Sequence, residues 1–376
     1  MWKLPYYNIE SGMDWVSLER DCDWFRDMKD VPQDHIWHAE GDVQIHTKMV
    51  VEALIALPEF GELNPQEKHI MVCGALMHDI EKRSVTTEKF KDGRTCVVAP
   101  KHANRGETTA RTILYKEWDC PFDIRESICK VVRYHGIPLW SVSDKDAEYR
   151  TVEASLLVNT KFLGMIAKAD INGRYCEDTD FLLGEIEFFN EFCKELDCFG
   201  EPKKFDTELA RFKYLSDRGY IDYKPFDDSK FTCHMLMGVA GSGKDHYIKT
   251  GFPYNTPRVS LDDLRIEMGV KRGDTKGQGH VIQEGKERFK VNMRAKQDFI
   301  FNATNLTKDM RGKWISLVRE YGGKVIIHYV ESPYKTLLKQ NRNREHVVPD
   351  DVIEKMINKI EMPKYDEAEE IKYVVN

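Results

Sequence analysis

The sequence has 376 residues, a hydrophobic content of 41% and a formal net charge of −7 at pH 7. This length exceeds one typical domain and predicts two, each with enough apolar residues for a folded core. There is no run of about 18 apolar residues and no apolar core of a signal peptide near the N-terminus, so neither a membrane span nor a leader is expected. The nine cysteines form no CxxC pair and predict free thiols in a reducing cytoplasm.

The charge is distributed unevenly along the chain. Residues 1–228 carry a formal charge of −13, and residues 229–376 carry +6. An acidic N-terminal part suits either metal binding or a solvated surface. A basic C-terminal part suits a polyanionic ligand such as a phosphate chain.

Apolar residues recur at helical spacing through the first 200 residues. The clearest segments are HTKMVVEALIAL, PQEKHIMVCGALMHDIEK, IRESICKVVRYHG, EASLLVNTKFLGMIAKADINGR and EIEFFNEFCKELDCFG. We therefore predict an all-α domain over residues 1–205. The polar, Pro-punctuated residues 206–228 predict a linker that contains a short helix.

Histidines and carboxylates that could bind metal ions are spread through this helical region. MHDIEK places His78 beside Asp79, a pair that is common by chance. The other candidates lie on or beside predicted helices and are His46, His102, His135 and Asp170. Such ligands suit transition metals, and two ions together can activate a water for attack on phosphorus. The alternative is a helical domain in which the histidines are coincidental.

The order H…HD…H…H…D resembles the HD phosphohydrolase superfamily over about residues 30–195. The resemblance implies that a first metal ion, Mn²⁺, Ni²⁺, Co²⁺, Fe or Zn²⁺, is bound by His46, His78, Asp79 and Asp170. It also implies a second ion held by His102 and His135, with Asp79 bridging the two. Lys82 matches a catalytic lysine that contacts the scissile phosphate.

Other polar residues of this region receive weaker predictions. Glu81 stands where many members of the superfamily carry glycine, so the wall of the pocket is expected to differ. Asp42 is expected to support the site, and Arg105 is expected to contact a substrate phosphate. The remaining histidines, which we expect to be structural or on the surface, are His35, His38 and His69.

From residue 231 onward, predicted strands alternate with predicted helices. The strand candidates are FTCHMLMGV, RVS, QDFIFNATN and GGKVIIHYVE, and the helices between them include DHYIKTGF and RGKWISLVREYG. This alternation predicts an α/β domain with a parallel sheet over residues 229–376.

The first predicted strand of this domain runs into a glycine loop, GVAGSGK, that has the P-loop pattern. Backbone N–H groups of such a loop and the start of the following helix bind phosphate oxygens. The predicted ATP-binding residues of the loop are Gly238, Gly241, Ser242, Gly243, Lys244 and Asp245. Asp245 occupies the position at which a serine or threonine usually binds Mg²⁺. A carboxylate can also bind this ion, so the site is expected to function.

Two further motifs follow the loop. SLDDLR places Asp262 and Arg265 on one face at a helix start, where a carboxylate can accept a proton from an alcohol. The alternative is that Ser260 or Asp262 only caps the helix. Arg342 and Arg344 precede a predicted loop and can close over ATP.

This set resembles the P-loop polynucleotide 5′-kinases of the phage and tRNA-ligase type over about residues 231–365. The resemblance implies that Asp262 is the general base, that Arg265 contacts the neighbouring substrate phosphate, and that Lys244 contacts the ATP phosphates. Arg342 and Arg344 match the arginines of the lid. Asn302 stands where a strict Walker B motif has an aspartate.

An HD hydrolase joined to such a kinase resembles the bifunctional RNA end-healing enzymes. The expected activities are phosphorylation of a 5′-hydroxyl with ATP and Mg²⁺, and metal-dependent removal of a 3′-phosphate or 2′,3′-cyclic phosphate. The expected partners are RNA or DNA ends and a separate ligase. Two alternatives are an enzyme of the nucleotide pool and a regulatory protein in which ATP switches the HD domain.

Overall fold

The computed structural model describes residues 1–91, 93–140, 145–271, 273–344 and 346–375. The chain divides into two compact units, Met1–Lys204 and Phe205–Asn376. The second unit therefore includes the segment for which a linker was predicted. Within the described residues, no helix is both long enough and apolar enough to cross a membrane.

Helices dominate the first unit, as the apolar spacing predicts. Their bounds are α1 (Trp15–Asp21), α2 (Asp23–Arg26), α3 (Val43–Ala56), α4 (Pro58–Gly61), α5 (Pro65–Met77), α6 (Lys82–Val85), α7 (His102–Lys116), α8 (Phe122–Tyr134), α9 (Ile137–Trp140), α10 (Ala147–Ser155), α11 (Thr160–Asn172) and α12 (Thr179–Glu195). The segment predicted as one long helix over 153–174 is interrupted, and Asn159 caps α11 by accepting a hydrogen bond from the N–H of Lys161.

The prediction of an all-α domain is wrong in one respect, because the first unit also contains two antiparallel hairpins. They pair β1 (Tyr7–Asn8) with β2 (Gly12–Met13), and β3 (Thr87–Lys91) with β4 (Arg94–Val98). Threonine and valine in the second hairpin favour strand, and Gly93 provides the positive φ of 79° that a tight turn requires.

The core of the first unit forms where α5 packs against α3, α8 and α11. Every residue of α5 from His69 to Met77 is buried. This part of the helix therefore lacks the polar face of a surface helix. Its start is fixed by a capping box between Asn64 and Glu67 and by Pro65 at the first helical position.

The second unit is an α/β domain. Its helices are α13 (Glu208–Asp217), α14 (Lys244–Gly251), α15 (Leu261–Glu267), α16 (Thr275–Arg294), α17 (Lys308–Glu320), α18 (Tyr334–Arg342) and α19 (Asp350–Ile357). Its strands are β5 (Thr232–Met237), β6 (Arg258–Ser260), β7 (Phe299–Asn302), β8 (Lys324–Glu331) and β9 (Glu370–Val375).

The five strands form one parallel sheet in the order β6-β7-β5-β8-β9, which confirms the predicted architecture. β9 was not predicted, because this short segment interrupts its apolar residues with the charged Glu370 and Lys372. The carboxyl ends of parallel strands share one edge of a sheet. The segments that follow β5, β6 and β7 therefore come together.

Candidate functional sites

Four histidines of the first unit direct their Nε2 atoms towards one region and use their Nδ1 atoms for contacts with the protein. The Nδ1 atoms of His78, His102 and His135 lie 2.7–2.8 Å from the carbonyl oxygens of the residues three positions earlier in the chain. His46 Nδ1 lies 2.8 Å from Glu40 Oε1 and 3.2 Å from the carbonyl oxygen of Gly173. Because Nδ1 donates to these acceptors, each Nε2 keeps a lone pair for a cation.

Two carboxylates complete this group, which we call the His/Asp cluster (His46, His78, Asp79, His102, His135 and Asp170). Asp79 Oδ2 lies 3.1 Å from His78 Nε2, and Asp79 Oδ1 lies 3.3 Å from His102 Nε2. Asp170 Oδ1 lies 3.1 Å from His46 Nε2. Asp79 thus stands between two pairs of histidines, in the position that a bridging ligand would occupy.

The cluster passes a test of fit for metal ions. Within the described residues, four of its buried atoms have no hydrogen-bond partner: His46 Nε2, His78 Nε2, Asp79 Oδ1 and Asp170 Oδ1. An unpaired buried polar atom is costly, and lone pairs that face each other need a cation between them. Two of the geometrically possible ligand groups, His46–His78–Asp79 and Asp79–His102–His135, share Asp79. Nitrogen and carboxylate donors of this kind suit a transition metal.

The pKa shifts of His135 and Asp79 also suit metal ligands. Burial, together with the neighbouring His78 and His102, lowers the pKa of His135 to about 3. Burial opposes ionisation of Asp79, but His78 and Lys82 outweigh it and hold its pKa well below the ordinary value. His46 differs: burial opposes its protonation, yet the carboxylates of Asp170 and Glu40 raise its pKa. A metal ion would take the place of that proton.

A cationic wall (Lys82, Arg133, Arg150 and Arg174) lines a cavity of about 390 Å³ beside the cluster. Lys82 Nζ lies 2.7 Å from Asp79 Oδ2 and donates to Gln33 Oε1 at 2.9 Å. Arg174 lies 3.5 Å from Asp170, and its buried Nε has no partner in the described part of the chain. Such a wall suits the binding of a phosphate next to the metal ligands.

Sequence reasoning missed several of these side chains. Glu40 contacts both His38 and His46, and His38 lines the cavity, although His38 was expected to be structural or on the surface. The missed signals are the spacing H-x-E in WHAEG and the arginine four residues after Asp170. Arg133, two residues before His135, was also overlooked, whereas Arg150 reaches the cavity from another helix, α10.

The other polar residues predicted in this region lie at different kinds of positions. Asp42 caps α3 by accepting from the N–H of Ile45 at 2.8 Å. Arg105 is exposed on α7 and is not among the described residues that line the cavity. Glu81 is buried and accepts from Thr109 at 2.9 Å. Among the other histidines, His69 is buried and accepts from the N–H of Leu4, whereas His35 is exposed.

In the second unit, the glycine loop joins β5 to α14. Gly238 has φ of 151°, and a Cβ there would lie 2.4 Å from the carbonyl oxygen of Val330, so only glycine fits. Gly241 and Gly243 also have positive φ, and Ser242 is fully buried. Lys244 Nζ donates to the carbonyls of Gly238 and Val239 at 2.9 and 2.8 Å. Burial lowers the pKa of Lys244 to about 8, although Asp245 and Asp262 oppose this shift.

The residues after β6 and β7 face the loop. Ser260 caps α15 by accepting from the N–H of Asp263, and Asp262 pairs with Arg265. Ser260 therefore caps the helix, as the alternative predicts, and the Asp262 carboxylate is not used as the cap. Arg265 also donates to Gln278 Oε1 at 3.1 Å, a contact from α16 that the sequence did not reveal. Asn302 Nδ2 donates to Asp245 Oδ1 at 2.9 Å.

The structure distinguishes the two arginines that were predicted for the lid. Arg344 lines a cavity of about 400 Å³ together with Asp245, Asp262 and Asn302. Arg342 is exposed and pairs with Asp350 at 3.2 Å. A second cavity of about 270 Å³ shares Asp262 and Arg265 with the first. The side chains predicted for phosphoryl transfer thus meet at one edge of the sheet, with Arg342 outside the cavity.

Comparisons with known proteins concern the second unit. The family described as AAA domain matches residues 233–363, about a third of the chain. No curated protein matches the sequence at a significant level. This segment is therefore similar to the AAA domain family, and it contains the glycine loop from Gly238 to Lys244.

Three solved structures that align with about 40% of the chain are kinases by description. A candidate kinase from Chloroflexus aurantiacus aligns at 14% identity over 39% of this chain and 89% of its own, with a TM-score of 0.33. A sugar kinase from Janibacter sp. HTCC2649 aligns at 19% identity over 39% and 84%, with a TM-score of 0.28. A gluconokinase from Sinorhizobium meliloti 1021 aligns at 17% identity over 40% and 84%, with a TM-score of 0.27. Likeness at this level carries no argument about the substrate.

Proposed function

We propose that this chain is a two-site enzyme that prepares broken nucleic-acid ends for ligation. The second unit phosphorylates a 5′-hydroxyl with ATP, and the first unit removes a 3′-phosphate or a 2′,3′-cyclic phosphate. The observation that carries the proposal is the presence, on one chain, of two groups of side chains that suit phosphate chemistry. One is the His/Asp cluster with its cationic wall, and the other is the glycine loop that faces Asp262 and Arg265.

In the kinase site, the loop amides and Lys244 bind the phosphates of ATP, and Arg344 neutralises charge on the transferred phosphoryl group. Asp262 accepts the proton of the attacking 5′-hydroxyl. Arg265 binds the next phosphate of the chain, and Gln278 holds its guanidinium in place. Asp262 and Arg265 form an ion pair, so the general base and the phosphate-binding arginine lie side by side. The attacking hydroxyl and the neighbouring phosphate of the substrate can then be bound at the same time.

In the phosphohydrolase site, the His/Asp cluster would hold one or two transition-metal ions. When bound, such ions lower the pKa of water and polarise phosphoryl oxygens. Lys82, Arg133 and Arg174 bind the remaining oxygens of the scissile phosphate. The internal acceptors of the histidine Nδ1 atoms keep the Nε2 atoms oriented throughout the cycle.

A second cavity of the first unit supports a nucleotide as substrate. Its volume is about 400 Å³, and it shares His38, Lys82, His102 and Arg174 with the cationic cavity. Trp37 and Trp140 line it together with Val97, Val98 and Leu182. An aromatic and apolar wall next to a phosphate site suits a nucleobase that stacks while its phosphate is bound.

The experiment uses an RNA oligomer with a 5′-hydroxyl and a 3′-phosphate, together with ATP, Mg²⁺ and Mn²⁺ or Ni²⁺. Labelled phosphate follows each end separately, because one gain and one loss cancel in the total mass. We expect Lys244→Ala to lose 5′ phosphorylation and Asp79→Ala to lose 3′ release, each by about 100-fold or more, without effect on the other end. His35→Gln, at an exposed histidine outside the cluster, serves as a control.

The outcomes separate this proposal from its alternatives. Activity on mononucleotides together with unchanged oligomer ends would favour an enzyme of the nucleotide pool. Binding of ATP without phosphorylation of any acceptor would favour a regulatory role. A DNA oligomer of the same sequence and an RNA with a 2′,3′-cyclic end identify the preferred nucleic acid and the preferred 3′ group.

A further inference from the structure

The position of negative charge in the kinase site is unusual. In P-loop enzymes, Mg²⁺ is commonly held by the hydroxyl of the serine or threonine that follows the loop lysine and by a Walker B aspartate on a strand. Here Asp245 follows Lys244, and Asn302 ends β7, the strand beside β5. The carboxylate and the neutral side chain have exchanged positions.

The two side chains are in direct contact. β7 runs parallel to β5, with Met235 opposite Phe301, so Asn302 and the glycine loop lie at the same edge of the sheet. Asn302 is only 8% exposed, and its amide donates to Asp245 Oδ1 at 2.9 Å. Asp245 Oδ2 has no hydrogen-bond partner among the described residues. Asp245 and Asn302 both line the cavity that contains Asp262 and Arg344.

We propose that Asp245 and Asn302 form an exchanged magnesium pair, in which Asp245 is the carboxylate ligand towards Mg²⁺ and Asn302 is the positioning residue. The inference rests on the proposed function only in that the loop binds a nucleotide. Mg²⁺ prefers oxygen ligands, and one carboxylate with substrate phosphates is a common set for this ion. The pair preserves the total charge of the usual arrangement, one negative and one neutral side chain, in the opposite order.

The exchange must be reciprocal for a physical reason. An aspartate at position 302 would remove the amide that donates to Asp245 Oδ1 and would place two like charges about 3 Å apart. A serine at position 245 beside Asn302 would leave the ion without a carboxylate from the pair. Each single substitution therefore weakens the metal site, whereas exchange of both residues restores one charge and one hydrogen bond between them.

The test measures how much Mg²⁺ strengthens the binding of a non-hydrolysable ATP analogue, by calorimetry in excess Mg²⁺ and in EDTA. The full-length chain is compared with Asp245→Ser, Asn302→Asp and two double variants, Asp245→Asn/Asn302→Asp and Asp245→Ser/Asn302→Asp. We expect each single variant to lose about tenfold or more of the Mg²⁺-dependent gain, and the double variants to regain it to within about threefold. Asp309→Asn, an exposed carboxylate at the start of α17, serves as control.

The proposal would be overturned by single variants that keep the full Mg²⁺-dependent gain, or by double variants whose losses simply add. Absence of any Mg²⁺-dependent gain in the unaltered chain would also overturn it. Binding in EDTA and the unfolding temperature identify variants that fail to fold, and the two double variants provide independent rescues. Because the readout is nucleotide binding, the pair is tested even if no 5′-hydroxyl is phosphorylated, so failure of the proposed function remains distinguishable.

Discussion

His46 differs from the other three histidines of the cluster in the acceptor of its Nδ1. His78, His102 and His135 each use a carbonyl from their own turn, whereas His46 Nδ1 also contacts the carboxylate of Glu40. A carboxylate behind a metal-binding imidazole fixes the orientation of the ring and makes its other nitrogen a stronger ligand. If the cluster holds a metal ion as proposed, Glu40 positions the His46 ring for it.

We predict that Glu40→Gln lowers the affinity for Mn²⁺ by about 10- to 100-fold, because the amide holds the imidazole less strongly than the carboxylate does. Metal content after dialysis and the Mn²⁺ concentration needed for 3′-phosphate release both measure this effect. The exposed Glu52→Gln is the matched control. Equal metal affinity in Glu40→Gln and the unaltered chain would show that Glu40 plays no part in positioning His46.

The two arginines near the end of α18 should differ in function although they lie two residues apart. Arg344 lines the kinase cavity, whereas the exposed Arg342 pairs with Asp350. We predict that Arg344→Ala lowers kcat/KM for 5′ phosphorylation by about 100-fold, and that Arg342→Ala changes it by less than about threefold. Initial rates at varied ATP concentration measure both. A larger loss in Arg342→Ala would mean that α18 moves when ATP binds.

At the scale of the secondary-structure elements, the glycine loop depends on its close approach to β8. At Gly238 an added Cβ would lie 2.4 Å from a backbone oxygen of Val330, and φ there is 151°. We predict that Gly238→Ala destabilises the second unit by about 3 kcal/mol and abolishes nucleotide binding. Gly312→Ala on α17 is the control, because its Cβ would meet no atom within 4 Å. Urea unfolding measures both, and equal midpoints would contradict the prediction.

Helices α7 and α8 are joined by a buried network of ionised groups. Arg111 contacts both Glu107 and Glu126 at 2.8 Å, and Lys130 contacts Glu107 at 2.6 Å. Burial alone would raise the pKa of each glutamate, but these cations lower both values to about 2. The pKa of each glutamate is lower in the folded chain than in the unfolded chain, where it is near 4.3. The network therefore stabilises the fold fully at pH values above about 4.3, and this stabilisation is lost as the pH falls towards 2.

We predict that the first unit loses on the order of 3 kcal/mol of stability from this network between pH 7 and pH 3. Glu126→Gln should lower the stability at pH 7 by a similar amount, because it removes a carboxylate that the buried Arg111 contacts, and should flatten the dependence on pH. Urea midpoints at several pH values measure both effects. If the urea midpoint of Glu126→Gln depends on pH as strongly as that of the unaltered chain, other groups cause the acid sensitivity.

At the scale of the whole molecule, the proposed function assigns different ligands to the two units. A ligand that binds only the folded state at 100 times its Kd stabilises that state by about 2.7 kcal/mol. We predict that Mn²⁺ raises one thermal transition and that ATP with Mg²⁺ raises another, each by about 5–10 °C, and that EDTA reverses the effect of Mn²⁺. Asp79→Ala should abolish only the first shift, and Lys244→Ala only the second. A single transition raised equally by both ligands would contradict this expectation.

The sequence by itself determined the local features of this protein. Apolar spacing gave the helices, alternation gave the parallel sheet, and GVAGSGK gave the loop, because each depends on residues within one turn, strand or connection. The six residues that the fold brings together were named through the family resemblance that the order of histidines and aspartates carries. Both hairpins and β9 were missed, although the second hairpin carried local signals.

Only the tertiary structure decided which side chains support these residues. Glu40, Arg133, Arg150 and Gln278 reach the sites from other elements, and the contact between Asp245 and Asn302 joins residues 57 positions apart. Nothing in the sequence ranked Arg344 above Arg342, because the distinction depends on where α18 ends relative to the cavity. The physical reason is that hydrogen bonds and ion pairs act over about 3–4 Å in space, and the fold alone determines which distant residues come within that range.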